Sequence, residues 1–186
     1  MTTVDTTSPT YCEIAEGHPF HGPYHNNEYG FPVVNESILF ERLTLEIFQA
    51  GLSWLVVLKK RQSLNAAFKN FDVECVSKFD RYDVDRLMND SSIIRNRLKI
   101  DATIFNANSL ISLRQTHGSF ANWLFEKNPL SKEEWCQVFK KNFKFIGQKI
   151  VDEFLMSIGY LEGAHHENCH VYHEIKKLKP IWLIAK

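Results

Sequence analysis

The chain has 186 residues, enough for one domain with a substantial core or two small lobes. Its 22 basic side chains balance 22 acidic ones, which excludes a strong non-specific field for nucleic acid. No apolar run is long enough to cross a bilayer, so a membrane is not an expected partner. Four cysteines, at positions 12, 75, 136 and 169, are too scattered for a disulfide framework, and no charged-then-apolar leader is present, so the expected compartment is the cytoplasm.

Residues 1–10 read as a flexible tail, leaving 11–186 as a single domain. Residues 11–34 are rich in Gly, Pro, His and Asn and read as an irregular loop region rather than helices. Asn35 is an N-cap, and beyond it Leu39, Leu43, Ile47 and Ala50 recur at the three- and four-residue spacing of one buried helix face. Trp54, Val57, Leu58, Leu64 and Phe68 repeat the pattern in a second helix that ends near Asn70. Gly51 suits the left-handed residue that closes the first helix and Ser53 the cap that opens the second, so the join is a sharp corner with Leu52 at its tip. Asp72 and Asp80 cap two short helices through Phe79 and Met88. A long helix opens within residues 91–100 and ends at Gly118, with Ile100, Ile104, Ala107, Leu110 and Ile111 along one face. A shorter helix covers 120–125, and Asn128-Pro129 breaks the chain. Ser131 and Glu134 then form a capping box for the helix carrying Trp135 and Phe139. A turn at 143–147 leads to a further helix that runs to Gly159. Alternating β patterns are scarce, so the expected fold class is all-α, with most of the fourteen Phe and four Trp in its core.

Three groups of residues carry possible chemistry. Glu46 lies at the margin of the apolar stripe before the corner, where a carboxylate must find a partner or line a cavity; the plain alternative is an Arg42–Glu46 pair on the surface at i,i+4 spacing. With Tyr24, Tyr29 and Trp54 it would make a box for a flat cation, against the alternative of ordinary core packing. Cys12, His25 and the i,i+4 pair His165 and Cys169 make up a Cys2His2 set for one zinc ion that would pin both ends of the chain, with His166, His170 and His173 as competing ligands and buried thiols as the alternative. Residues 143–149 form a tight glycine-ended turn whose free N–H groups suit a phosphate, with Lys144 and Lys149 beside it, or else a plain helix connection.

Together these segments resemble the bacterial DNA-3-methyladenine glycosylase I family of the helix-hairpin-helix superfamily. The resemblance rests on Tyr24-His25-Asn26-Asn27-Glu28-Tyr29-Gly30-Phe31-Pro32, on Glu46-x-x-Gln49-Ala50-Gly51-Leu52-Ser53-Trp54-x-x-x-Leu58-x-Lys60-Arg61, on Ile93-Ile94-Arg95-Asn96-x-x-Lys99-Ile100, and on Phe143-Lys144-Phe145-Ile146-Gly147. They follow the family's order across nearly the whole chain after Tyr11. The resemblance implies a helix-hairpin-helix glycosylase fold and a monomer that flips alkylated adenine out of double-stranded DNA and hydrolyses its glycosidic bond, without lyase activity. Glu46 would then accept a hydrogen bond from the exocyclic amine, Tyr24 and Trp54 would sandwich the ring, and His21 and Tyr29 would complete the pocket. Leu52 would fill the gap in the base stack, and Lys144, Phe145, Ile146, Gly147 and Lys149 would grip the phosphates. Cys12, His25, His165 and Cys169 match the family's structural zinc clip.

The chain departs from the family at several points. Ile14 stands for a Trp, His21 for a Tyr and Tyr29 for a Trp. The loop from Gly159 to His165 is one residue longer, with Ala164 where an acid is common, which leaves His165 and His166 both open as ligand. Many relatives use an Asp after the hairpin, and none follows Asp152 here. A cationic base is already a good leaving group, so positioning and a favourable field suffice. A zinc-stabilised DNA-binding module of the same fold with little turnover is the alternative.

Overall fold

The computed structural model describes residues 9–184; most of the expected tail therefore lies outside the described residues. Thr10, assigned to that tail, instead caps α1 (Tyr11–Ala15) through a reciprocal capping box with Glu13. The loop expected over 11–34 is in part helical, since α2 (His21–Asn27) follows. Its glycine and proline sit in the first turn, where a missing N–H and a fixed φ cost nothing, so a composition typical of loops is compatible with a short helix.

Asn35 caps α3 (Glu36–Gln49) by accepting from the Ile38 N–H at 3.1 Å. Every residue from Leu39 to Phe48 is buried, so α3 is a central helix rather than a one-faced one, although Ala50 at its end is exposed. Gly51 turns the corner at φ 82°, as expected. Ser53 holds the N-cap position of α4 (Trp54–Ala67) without a side-chain cap bond. A 3₁₀ turn, Lys69–Phe71, leads to α5 (Val73–Ser77) and α6 (Arg81–Asn89), capped by Asp72 and Asp80. The long helix α7 (Arg97–His117) starts later than expected. Asp90 draws the Ser92 N–H and hydroxyl into a local turn at 2.8 and 2.6 Å, which competes with helix formation, and Asn96 becomes the cap. Gly118 ends it at φ 79°.

After α8 (Phe120–Lys127), Ser131 and Glu134 form the expected capping box of α9 (Lys132–Asn142), and α10 (Gln148–Ser157) follows the turn. Two more helices, α11 (His170–Lys177) and α12 (Ile181–Ile184), are announced by no long apolar period. No strand occurs among the described residues, so the fold is all-α.

Helix α3 packs against α4, α5, α7, α8 and α10. The aromatic residues fill the space around it. Phe40, Phe48, Phe68, Phe71, Phe120, Trp123, Trp135, Phe139 and Phe154 are fully buried, each contributing about 1.5–3 kcal/mol by leaving water. A smaller cluster of Cys169, Val171, Tyr172 and Ile175 meets Cys12 and Phe31, joining the two ends of the described chain.

One charged network fixes α2 and the residue after it against α3 and α4. Arg42 donates to Glu28 at 2.6 Å; Arg61 donates to Glu28 and to Glu41 at 2.8 Å; and Asn65 donates to Glu41 at 2.6 Å. Two cations face two anions, so the charges balance. Glu28→Ala would strand Arg42, whose side chain is 3% exposed, and should lower the unfolding free energy by about 3 kcal/mol in urea titration. Lys78→Ala, which breaks an exposed pair at 4.0 Å, should change it by less than about 0.5 kcal/mol.

Candidate active site

The wall of a cavity beside Glu46 is assembled from five elements. Helix α3 supplies Glu46 and Gln49, α4 supplies Trp54, α10 supplies Lys149 and Glu153, and α1 and α2 supply Tyr11 and Tyr24, with Tyr29 just beyond α2. They enclose about 210 Å³. The surface Arg42–Glu46 pair does not form: both residues are buried, and Arg42 turns to Glu28 instead. Glu46 is thus 5% exposed and makes no hydrogen bond or ion pair with any described residue. Burial and the nearby Glu153 carboxylate push its pKa up to about 8, against the opposing pull of Arg42 and Lys149. At neutral pH it is mostly a neutral acid, a donor as well as an acceptor. Glu153 accepts a hydrogen bond from the Tyr29 hydroxyl at 3.1 Å.

The rings do not form an open slot. Tyr24 and Trp54 meet edge to face, with centroids 5.1 Å apart at 62°. A base sandwiched between them needs parallel faces roughly 7 Å apart, two van der Waals separations, so Trp54, half-buried at the start of α4, must swing aside. His21 is not among the lining residues; it stands behind Tyr11, its Nδ1 3.3 Å from the hydroxyl. Tyr11, Gln49 and Glu153 line the cavity without having been singled out by pattern. For Glu153 a signal existed: it lies four residues after Lys149, on the same face of the helix that follows the turn.

A groove lined by Ala50, Gly51, Leu52, Ser53, Gly147, Gln148, Lys149 and Ile150 shares Glu46, Gln49 and Glu153 with the cavity. Leu52 stands 40% exposed at the corner. Two α7 side chains fix the edges of this groove. Buried Lys99 donates to the carbonyls of Phe48 and Ala50 at 2.8 and 2.6 Å, tying down the corner. Asn106 both accepts from the Lys144 N–H at 2.8 Å and donates to the Lys144 carbonyl at 3.3 Å, clamping the turn. Phe145 adopts φ 60° there, and Ile146 is half-buried. The first backbone bond of α10 runs from Val151 N–H to the Gly147 carbonyl, leaving the earlier N–H groups open to an anion, with Lys144 and Lys149 exposed alongside.

The ligand atoms of Cys12, His25, His165 and Cys169 lie within 4.8 Å of one another. His165 Nδ1 is 3.1 Å from His25 Nε2, and Cys169 Sγ is 3.7 Å from the former and 3.6 Å from the latter. Such spacings suit the edges of a tetrahedron around one ion. The outer nitrogens are committed elsewhere: His165 Nε2–H donates to the Tyr29 carbonyl and His25 Nδ1–H to Asn26, both at 2.7 Å. That fixes the tautomers which aim the inner lone pairs at the centre. His166 is exposed, so of the two adjacent histidines His165 is the one in the cluster. The pair does not share a helical turn; Cys169 is the N-cap residue of α11, and His165 lies in the loop before it.

Residues 14–137 match the family described as methyladenine glycosylase. The chain belongs to that family. This glycosylase is 35% identical over 180 residues to DNA-3-methyladenine glycosylase 1 of Escherichia coli, covering 87% of this chain and 96% of the relative. It is 32% identical over 179 residues to the DNA-3-methyladenine glycosylase of Haemophilus influenzae, covering 86% and 96%. A structure of 3-methyladenine DNA glycosylase I from Staphylococcus aureus, described as the structural basis of 3-methyladenine recognition, superposes with a TM-score of 0.77 at 29% identity, covering 87% of this chain and 95% of that one.

The buried acid leaves a mark on stability. A carboxyl whose pKa rises from 4.5 to about 8 on folding favours the native state below pH 4.5 and loses that contribution as pH climbs through 8. Glu46→Gln removes the ionisation and should melt higher than the parent at pH 9, by on the order of a few kcal/mol. The gap should close by about pH 5, and thermal melts across the range check it.

Proposed function

We propose that this glycosylase, acting as a monomer with residues 11–186 as one domain, hydrolyses the N-glycosidic bond of 3-methyladenine flipped out of alkylated duplex DNA in the bacterial cytoplasm. The observation that carries the reading is Glu46: an unpaired acid in an aromatic-walled cavity that opens beside an exposed Leu52 and a clamped turn. Leu52 takes the place of the everted nucleotide, while the α10 N-terminus, Lys144 and Lys149 hold phosphates on either side. Trp54 rotates onto the face of the cationic ring opposite Tyr24. Glu46 meets the exocyclic amine. When the C1′–N bond breaks, both electrons pass to the ring and cancel its charge, water oxygen bonds to C1′, and the water proton leaves to solvent. The base brings its own activation, so the site's task is to orient and select.

Cys12, His25, His165 and Cys169 hold structural zinc in this reading. Four protein donors fill a tetrahedral shell and leave no position for a reacting water, so the ion pins the ends of the domain and takes no part in hydrolysis. Purified protein should contain one zinc per chain by elemental analysis. Cys169→Ser should reduce that content by more than half and lower the melting temperature.

The edge-to-face contact of Tyr24 and Trp54 favours a second reading, a DNA-binding module of the same fold with little turnover. Excision separates them. Incubated with alkylated duplex DNA, the protein should release 3-methyladenine, identified by chromatography, and Glu46→Leu, which removes both donor and acceptor, should slow release at least tenfold with duplex binding within about threefold. Lys149 at the cavity is the amine a lyase step would need, so strand scission is measured in parallel and should be absent. Tight duplex binding with no released base would establish the second reading.

A further inference from the structure

Glu153 is unaccounted for by the reading above. It lines both the cavity and the groove, one turn beyond Lys149 on α10. One oxygen, Oε2, is held by the Tyr29 hydroxyl at 3.1 Å, and the other takes no hydrogen bond from a described residue. Tyr29 is itself anchored, its carbonyl accepting from His165 and its N–H donating to the Tyr24 carbonyl at 2.9 Å. The facing groups are Tyr11, Tyr24, Tyr29, Lys149 and the second carboxyl, Glu46, with Arg42 behind it on α3. Arg42 is occupied by Glu28, and Lys149, exposed, makes no ion pair within 4 Å among the described residues. Two acids on one small cavity, with no cation bound to either, cannot both ionise cheaply.

We infer that Glu153 is a second base-contacting residue: its carboxylate supplies the negative charge that meets a cationic purine, while Glu46 both donates to and accepts from the ring's edge. The division follows the surroundings. Glu153 is half-exposed and accepts from the Tyr29 hydroxyl, with its second oxygen left open to the cavity. Glu46 is nine-tenths buried and partnerless, so it keeps the proton, in line with its upward shift. A neutral carboxyl donates to one ring nitrogen and accepts from an adjacent amino group, the pattern of an adenine edge; the N7 and O6 of guanine offer two acceptors and do not fit it. The charge of Glu153 matches the alkylated ring before cleavage and loses its counterpart once the ring becomes neutral, so the contact favours substrate over product.

This role rests on the proposed excision of a cationic adenine, and the test separates the two. Full-length wild type, Glu153→Gln and Tyr29→Phe are compared on alkylated duplex DNA from pH 5 to 9, with carbon-13 NMR titration of the Glu46 carboxyl in the free proteins. Glu153→Gln should lower kcat/KM for 3-methyladenine release at least tenfold and move the Glu46 titration at least one unit down. Tyr29→Phe, which keeps the ring, should shift both in the same direction by less. Wild type active, with Glu153→Gln within twofold of it or the Glu46 titration unmoved, overturns the role of Glu153 alone. Wild type that releases no base overturns both.

Discussion

The pairing that organises this molecule is the one between Arg42 and Glu28. By occupying the guanidinium at 2.6 Å, Glu28 denies it to Glu46 one helical turn further along α3. The four-charge network of Glu28, Glu41, Arg42 and Arg61 is balanced, which is what makes buried charge tolerable, although Nε and Nη1 of Arg42 have no partner among the described residues. Glu46 lies outside that balance. Its helix is packed among other helices, which leaves the carboxyl buried, and the group responds by holding its proton. A costly buried acid and a receptive pocket are the same fact seen from stability and from function.

The long helix α7 sets the geometry of the outer face. Lys99 and Asn106, two turns apart on one face of the helix, bind the corner after α3 and the turn before α10. Both bonds are to backbone, so they fix main-chain position irrespective of neighbouring side chains. Leu52 and the open N–H groups of α10 are thereby held at the two lips of one groove. At the rear, the Cys/His cluster gathers residues of α1, α2 and the α11 cap and, through His165 and the Tyr29 carbonyl, reaches the aromatic wall of the cavity.

Most of the helical framework was legible in the chain. Gly51, Asn35, Asp72, Asp80, Gly118 and the Ser131–Glu134 box act locally, on residues one turn away, and each is found where its chemistry puts it. The failures have local causes too. Residues 91–96 carry a helix-like apolar pattern, but Asp90 offers their backbone a competing turn. Loop-like glycine and proline in 21–27 are harmless in a first helical turn.

Sequence by itself determined the all-α class, the corner, the turn before α10 and the family, because these depend on spacing along one chain and on motifs read in order. It also named Glu46, Tyr24, Tyr29 and Trp54, all of which line the cavity. Only the tertiary structure decided that Arg42 turns away from Glu46, that His165 rather than His166 joins the cluster, that His21 stands behind Tyr11, and that Glu153 faces Glu46. Each of these is a choice between partners far apart in sequence, settled by which helix faces are pressed together and how much water is left between them.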